Sequence, residues 1–100
     1  MAETRLRTLI PTEFRAESLS GAGKVRNVSA RGLFVGTRAI PEEGETVELE
    51  LAEPGWPRIS LTGLVWWTAR EPGDRNARCG FGLRIVDDND AYLRLVASLR

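Results

Sequence analysis

Strict alternation of apolar and polar side chains is the feature that most constrains how this chain can fold. Between Thr46 and Ala52, valine and leucine occupy the odd positions, and glutamate stands at positions 48 and 50. A period of two places successive side chains on opposite faces of a strand, so this segment predicts a half-buried β-strand. The segment Cys79–Val86 alternates in the same way, and turns rich in glycine and proline separate the strand candidates. The chain is therefore predicted to be all-β, as a small antiparallel barrel whose closure removes exposed strand edges.

The predicted elements form one domain of residues 1–100, which suits a chain of 100 residues. We expect a flexible amino-terminal arm over residues 1–11, the barrel over 12–86 and a helix over 87–100. The helix follows from a change of period, because Asp87 or Asp88 provides an N-cap and an apolar stripe recurs at helical spacing. That stripe consists of Tyr92, Leu95, Val96 and Leu99. The strand candidates lie at residues 12–18, 24–28, 33–37, 46–52, 58–68 and 79–86.

Gly63 interrupts the longest strand candidate, which runs from Arg58 to Thr68. A glycine inside a strand predicts a bulge or a sharp bend, as occurs where a sheet closes on itself. Trp66 and Trp67 stand shortly after it. Because adjacent residues of a strand face opposite sides, we expect at least one of these tryptophans to lie in the core, although an exposed one could stack on a base.

The segment Asn27–Gly32 carries residue types that suit a polar binding corner. Asn27 and Ser29 can bond to the main chain and Gly32 tolerates positive φ, so the segment predicts a tight turn with left-handed backbone. Such a turn leaves backbone N–H groups pointing outward, which favours an anion. Arg31 stands inside the turn. The segment is therefore interpreted as a candidate polar binding corner on a β scaffold, with no ligand role assigned to Arg31. The alternative is that its residues only end one strand and begin the next.

Missing residue types exclude most catalytic chemistry. The chain has no histidine, which removes the commonest general base and metal ligand. Cys79 is the only cysteine, so neither a Cys–His pair nor a zinc cluster can form within the chain. The acidic residues between positions 42 and 53 are interpreted as a solvated face rather than as an acid–base pair. The sequence therefore predicts a binding module that is not an enzyme and that has no cofactor and no metal site.

Charge and hydropathy limit the possible partners. Fourteen basic and fourteen acidic residues give a net charge of zero, which argues against binding of DNA or RNA, because that normally needs a basic excess. No apolar run is long enough to insert into a membrane, and a single cysteine fits a reducing compartment, so a cytoplasmic location is predicted. Thirteen of the fourteen basic residues are arginine. This preference favours bidentate contact with phosphate or guanine, or it reflects a compositional bias of the genome.

Several motifs together resemble the bacterial PilZ domain family. The segment Asn27–Gly32 reads Asn-Val-Ser-Ala-Arg-Gly and is similar to that family's (Asp/Asn)-x-Ser-x-x-Gly motif at every fixed position. The apolar segment 33–35 resembles the strand that follows the motif, and the segments Gly63–Trp66 and Cys79–Ile85 fall in the family's order. The resemblance covers nearly the whole chain. It implies a six-stranded antiparallel β-barrel of the split-barrel type with one C-terminal α-helix.

The resemblance also implies a receptor for cyclic di-GMP, a bacterial second messenger. The ligand-binding residues that it implies are Asn27, Ser29 and Gly32 of the turn, with Arg5 and Arg7 from the amino-terminal arm. The chain departs from the family's Arg-x-x-x-Arg pattern, because Glu3 stands where the first arginine is expected. Two functions stay open. One is a non-catalytic signalling module that binds cyclic di-GMP and relays this to a partner protein. The other is a ligand-free adaptor that acts by protein–protein contact in pilus or motility regulation.

Overall fold

A closed antiparallel barrel forms most of the molecule. The computed structural model describes residues 5–70, 79–87 and 89–100. Within these ranges six strands are followed by one helix, α1 (Asp90–Ser98). The strands are β1 (Leu6–Ala16), β2 (Ser20–Val28), β3 (Gly32–Gly36), β4 (Thr46–Leu51), β5 (Ile59–Ala69) and β6 (Gly80–Ile85). They are ordered β1-β2-β3-β6-β5-β4 around the barrel, and β1 pairs with β4 to close it. The predicted fold class is confirmed.

The core lies inside the barrel, and the alternating strands build it as predicted. Val47, Leu49 and Leu51 of β4 are buried, whereas the glutamates between them face outward. Phe14 of β1 meets Phe81 of β6 edge to face, with ring centroids 5.1 Å apart. The helix adds Tyr92, Leu95 and Val96 to the same buried cluster, so its apolar stripe packs on the barrel. In the described part of the chain, no helix has both the length and the apolar character that crossing a bilayer requires.

Strand β1 starts at Leu6, so the predicted start at Thr12 is wrong and residues 6–11 of the expected arm belong to the strand. The register of β1 against β2 shifts between Arg7 and Ile10. The side chains of β1 alternate between the two faces through this shift, since Leu9 is 66% exposed and its neighbour Ile10 is fully buried. The sequence does not show this alternation, because Leu9 is as apolar as Ile10 although it faces outward.

Strand β2 starts at Ser20, so most of the turn predicted between residues 18 and 24 is strand. The glycines of this segment serve close packing rather than a turn. A Cβ atom on Gly21 would lie 2.9 Å from Cζ of Phe14. One on Gly23 would overlap the carbonyl oxygen of Gly36 in the neighbouring strand. Glycine within a strand can mark such a close approach as well as a bend.

The bulge expected at Gly63 lies further along β5, between Val65 and Trp67. Gly63 itself pairs in register with Val47 and Ile85. It is glycine because the side chain of Leu83 occupies the space of a Cβ atom. A bulge sets two residues opposite one and so interrupts the alternation of faces. The prediction that Trp66 or Trp67 lies in the core is therefore wrong, since both are on the surface, 57% and 40% exposed.

The helix is capped by Asn89 rather than by Asp87 or Asp88. The side-chain oxygen of Asn89 accepts a hydrogen bond from the Tyr92 amide at 2.9 Å, which is the usual N-cap contact. Its side-chain nitrogen donates to the carbonyl oxygen of Ser60 in β5 at 2.6 Å. An ionised aspartate has no donor for that second bond, so an amide at this position both starts the helix and fastens it to the barrel. Of the two predicted caps, Asp88 lies outside the described residues.

Candidate ligand site on the barrel wall

A row of register partners crosses five strands on the outside of the barrel. Arg7 of β1 pairs with Asn27 of β2, and Asn27 pairs with Phe34 of β3. Phe34 in turn pairs with Gly82 of β6, and Gly82 with Trp67 of β5. The row thus places a cation, an amide and two aromatic rings side by side. Residues far apart in the chain meet here because the barrel order brings β3 beside β6.

Phe34 and Trp67 form a stacked aromatic pair on this row. Their ring centroids are 5.1 Å apart and their planes differ by 19°. The indole of Trp67 lies across Gly82, where a Cβ atom would be 2.5 Å from indole Cε2. Phe34 is only 6% exposed, although it lies outside the main core cluster, and Trp67 is its stacking partner. Offset aromatic stacking at such distances stabilises the pair beyond simple burial.

The predicted residues Arg5, Arg7 and Asn27 come together at one end of the row. A guanidinium nitrogen of Arg5 donates to the side-chain oxygen of Asn27 at 2.7 Å. Arg7 lies directly opposite Asn27 in the ladder. Two residues apart along an extended chain, Arg5 and Arg7 share one face. The structure therefore brings an arginine pair to the first residue of the turn motif, although the chain lacks the four-residue spacing.

Two hollows adjoin along the row, and Trp67 lines both. The smaller, of about 250 Å³, is bordered by Arg5, Arg31, Gly32, Leu33, Trp66, Trp67, Gly82, Leu83 and Arg84. The larger, of about 950 Å³, is bordered by Arg7, Thr8, Leu9, Arg26, Asn27, Phe34, Trp67 and Ala69. We call the surface made by these two sets of residues the arginine face. It has five arginines, and none of the described residues that line it is acidic. Such a surface attracts anions and offers aromatic rings for stacking.

The two tryptophans and Arg84 were not predicted as site residues. The guanidinium carbon of Arg84 lies 5.0 Å from the ring centroid of Trp66, in a cation–π contact. Sequence reasoning missed this part of the face because it placed one tryptophan in the core. The signal that could have found it is the pair of glycines Gly80 and Gly82 on the facing strand. Because glycine has no side chain, glycines on one strand leave room for large rings from the neighbouring strand.

Ser29 lies inside the turn rather than on the arginine face. It has no exposed surface. Its amide donates to the carbonyl oxygen of Gly32 at 2.8 Å, and its hydroxyl donates to the same oxygen at 3.3 Å. The hydroxyl of Tyr92 donates to the carbonyl oxygen of Ser29 at 2.7 Å and lies 3.1 Å from that of Gly32. The side chain of motif residue Asn27 accepts from Arg5, an arginine of the face.

Gly32 is not in the left-handed region, so that part of the turn prediction is wrong. Among the described residues, positive φ occurs only in glycines, namely Gly44, Gly55 and Gly80. Asn27 is therefore not left-handed either. A Cβ atom on Gly32 would lie 2.8 Å from the carbonyl oxygen of Leu83. Glycine is required here because β3 and β6 approach closely, not because the chain turns through an unusual conformation.

The wall formed by β1, β4 and β5 differs in charge from the arginine face. A hollow of about 490 Å³ on it is bordered by four acidic residues and one arginine among others: Glu13, Glu48, Glu50, Asp87 and Arg15. Arg15 is paired with Glu48 at 2.9 Å, and Arg58 with Glu50 at 2.8 Å. These hydrogen bonds raise the pKa of both arginines. Their exposure means that the pairs add little stability. This wall is therefore suited to solvent rather than to an anion.

One carboxylate of the acidic segment has a structural role. Glu45 accepts hydrogen bonds from the amide of Ser18 at 2.8 Å, from its hydroxyl at 2.7 Å and from the amide of Glu42 at 2.6 Å. Bonds from Ser18 and Glu42 lower the pKa of Glu45. It joins the turn after β1 to the loop before β4. In the described ranges no group of three or more carboxylate, thiol or imidazole side chains could hold a metal ion.

Comparison with known proteins identifies relatives of this barrel. The family model of the PilZ domain matches residues 1–99. Among solved structures, the chain is similar to the Bacillus subtilis inhibitor of motility (MotI/DgrA), with a TM-score of 0.74 and 15% sequence identity. The match covers 99% of this chain and 48% of that one, so the chain spans about half the length of that protein. At this identity the similarity shows the fold alone. No curated protein is significantly similar in sequence.

Proposed function

We propose that this chain, which belongs to the PilZ domain family, is a signalling module that binds cyclic di-GMP on its arginine face and relays this to a partner protein. The observation that carries the proposal is the meeting of Arg5 and Arg7 at Asn27, beside the stacked rings of Phe34 and Trp67. The described lining of the face holds five arginines and no acidic residue. Its function is binding rather than catalysis.

The chemistry of the face matches the ligand. Cyclic di-GMP has two phosphates, which need cations, and two guanines, which need planar stacking and hydrogen bonds to O6 and N7. An arginine fork can supply either kind of contact. A guanidinium has five N–H donors, and the bond from Arg5 to Asn27 leaves further donors for a phosphate. The exposed part of Trp67 offers a ring for a base.

Arg5 supplies the cation that the family's Arg-x-x-x-Arg pattern places at position 3 of this chain. Glu3 stands at the position of the first arginine, where its charge would repel a phosphate. Arg5 and Arg7 instead share one side of an extended segment, where Arg5 donates to the Asn27 side chain and Arg7 is the register partner of Asn27. This pairing favours nucleotide binding over a ligand-free role. In this proposal Ser29 and Gly32 contribute through the shape and the backbone of the turn.

Calorimetric titration with cyclic di-GMP tests the proposal. Arg7→Ala and Asn27→Ala should each weaken binding by roughly 10- to 150-fold, because a hydrogen bond to a charged group contributes about 1.5–3 kcal/mol. Arg58→Ala is the matched control, since Arg58 is an exposed arginine paired with Glu50 away from the face. Affinity should also fall as salt rises, as screening requires. Wild-type protein that gives neither heat nor a higher melting temperature at millimolar ligand would refute cyclic di-GMP binding.

A ligand-free adaptor in pilus or motility regulation is the second candidate. The structural neighbour is named as an inhibitor of motility. In this chain a large apolar side chain is exposed on helix α1 and another is exposed four residues before the helix begins. Val86 is 60% and Leu93 46% exposed. Leu93→Glu should then abolish capture of a motility protein, and cyclic di-GMP should leave that capture unchanged. Capture that depends on cyclic di-GMP favours the first candidate instead.

A further inference from the structure

Tyr92 joins helix α1 to the turn that begins the motif strand β3. Its ring is 1% exposed, and its hydroxyl donates to the carbonyl oxygen of Ser29 at 2.7 Å. The carbonyl oxygen of Gly32 lies 3.1 Å from the same hydroxyl. Two backbone carbonyls at the two ends of the turn are therefore held by one side chain of the helix. The contact spans more than sixty positions of the chain.

The helix end of this contact is fixed independently of the turn. The Tyr92 amide donates to the cap residue Asn89 at 2.9 Å, and the Asn89 side chain donates to Ser60 of β5 at 2.6 Å. Leu95 and Val96, one turn later, are buried in the core. The ring of Tyr92 thus has a position set by β5 and by the core. The hydroxyl of this ring is the group that contacts the turn.

A hydroxyl at this place indicates a role beyond packing. Phenylalanine would fill nearly the same volume without the cost of burying a polar group. Tyrosine is acceptable because its O–H finds backbone partners. Those partners belong to Ser29 and Gly32, and Asn27, which accepts a hydrogen bond from Arg5, lies two residues before Ser29.

We infer that Tyr92 is a positioning residue for the arginine face: it holds the turn in the shape that presents Asn27 to a ligand and so couples helix α1 to ligand occupancy. This inference rests on the proposed binding of cyclic di-GMP. Coupling of this kind is reciprocal, so a ligand on the face must also stabilise the helix. Exposed Leu93, the next residue, would then lie on an element whose stability follows the ligand.

The test compares Tyr92→Phe with Thr12→Val. Thr12 is the matched control because it is also buried, 4% exposed, and its hydroxyl donates to a backbone carbonyl, that of Glu50, at 2.9 Å. Both variants should melt at lower temperature than wild type. Only Tyr92→Phe should weaken cyclic di-GMP binding, by roughly three- to tenfold, as expected for loss of one neutral hydrogen bond. Equal affinities in the two variants would overturn the inference.

Amide hydrogen exchange gives a second measurement that a purely structural role would not change. In wild type the ligand should slow exchange in both strand β2 and helix α1. In Tyr92→Phe the protection of β2 should remain and that of the helix should be lost. Protection of the helix that survives in Tyr92→Phe contradicts the inference.

Failure of the proposed function can be told apart from failure of this inference. If wild type does not bind cyclic di-GMP, the proposed ligand is wrong. Amide hydrogen exchange of Tyr92→Phe and Thr12→Val is then compared in the absence of ligand. Tyr92→Phe must then speed exchange of the amides at residues 29–32 more than Thr12→Val does. Equal rates in the two variants would show that the hydroxyl does not hold the turn.

Discussion

Replacing Gly82 with alanine should displace Trp67 from the aromatic pair. A Cβ atom at position 82 would lie 2.5 Å from Cε2 and 2.7 Å from Cδ1 of the indole. Carbon atoms in ordinary contact are about 3.5–4.0 Å apart, so the ring must move by roughly 1 Å or rotate away. Either movement breaks the stack with Phe34, whose centroid now lies 5.1 Å from that of Trp67.

The expected loss of stability follows from what the movement uncovers. The stack itself contributes about 0.5–1.5 kcal/mol. Exposing roughly 40 Å² of the Phe34 ring adds about 1 kcal/mol. We therefore expect Gly82→Ala to lower the free energy of unfolding by about 2 kcal/mol, which in a domain of this size lowers the melting temperature by roughly 8–16 °C. Binding on the arginine face should weaken with it, because Trp67 lines both hollows.

Thermal unfolding followed by circular dichroism measures the loss, and a double-mutant cycle isolates its cause. In the Trp67→Ala background, Gly82→Ala should cost nothing, because the indole that obstructs the new methyl group is absent. It could even stabilise slightly, since alanine restricts the unfolded chain more than glycine does. If Gly82→Ala is as destabilising without the indole as with it, then the close approach of Trp67 is not the reason for glycine at this position.

Substitutions at three further positions test particular contacts. Glu45→Gln should lower the melting temperature near neutral pH, because the neutral amide accepts more weakly from Ser18 than the carboxylate does. The difference from wild type should shrink as the pH falls below 4.5, the ordinary pKa of a glutamate, and through the lowered pKa of Glu45, because protonation then neutralises the wild-type carboxylate as well. A difference that stays constant with pH would contradict this. Gly32→Ala should destabilise by about 1–3 kcal/mol in thermal unfolding, because its Cβ meets the Leu83 carbonyl oxygen 2.8 Å away; an unchanged melting temperature would show that β3 and β6 can separate. Asn89→Ala should cost about 1–2 kcal/mol through the lost cap, and Asn89→Asp should restore part of it.

The sequence predicted the barrel well where each strand keeps its period. Val47, Leu49 and Leu51 were assigned to the core from alternation alone, and all three are buried. Alternation succeeds there because β4 pairs in unbroken register with β1 and β5. Register depends on every side chain facing the correct side, so a continuous ladder leaves a readable pattern.

Prediction failed where a strand departs from apolar–polar alternation in its sequence or in its geometry. Exposed, apolar Leu9 beside buried Ile10 hid the start of β1, and the shift between Val65 and Trp67 placed both tryptophans on the surface. A bulge changes the face of every residue beyond it, and no residue type marks its position reliably. Glycine was a misleading marker, because Gly63 makes room for the side chain of Leu83 rather than for a bend.

The candidate site was predicted in part. Arg5, Arg7 and Asn27 were named from the resemblance, and the structure brings them together. The stacked rings were not named, because Phe34 and Trp67 meet only through the order of β3, β6 and β5 around the barrel. Contacts between strands that are not neighbours in the chain leave no local pattern. Such contacts require the topology before they can be predicted.

A net charge of zero does not describe what this molecule can bind. The chain has as many acidic as basic residues, yet the structure distributes them between different walls of the barrel. On the wall of β1, β4 and β5, Arg15 and Arg58 are each held by a glutamate. On the arginine face, five arginines line the two hollows and no described lining residue is acidic. Salt largely screens the interaction between exposed charges that are more than about 10 Å apart. A ligand on one wall therefore responds to the local arginines rather than to the net charge of the chain. The neutral total therefore weighs against a long polyanion, which would extend over both walls, and leaves room for a small one.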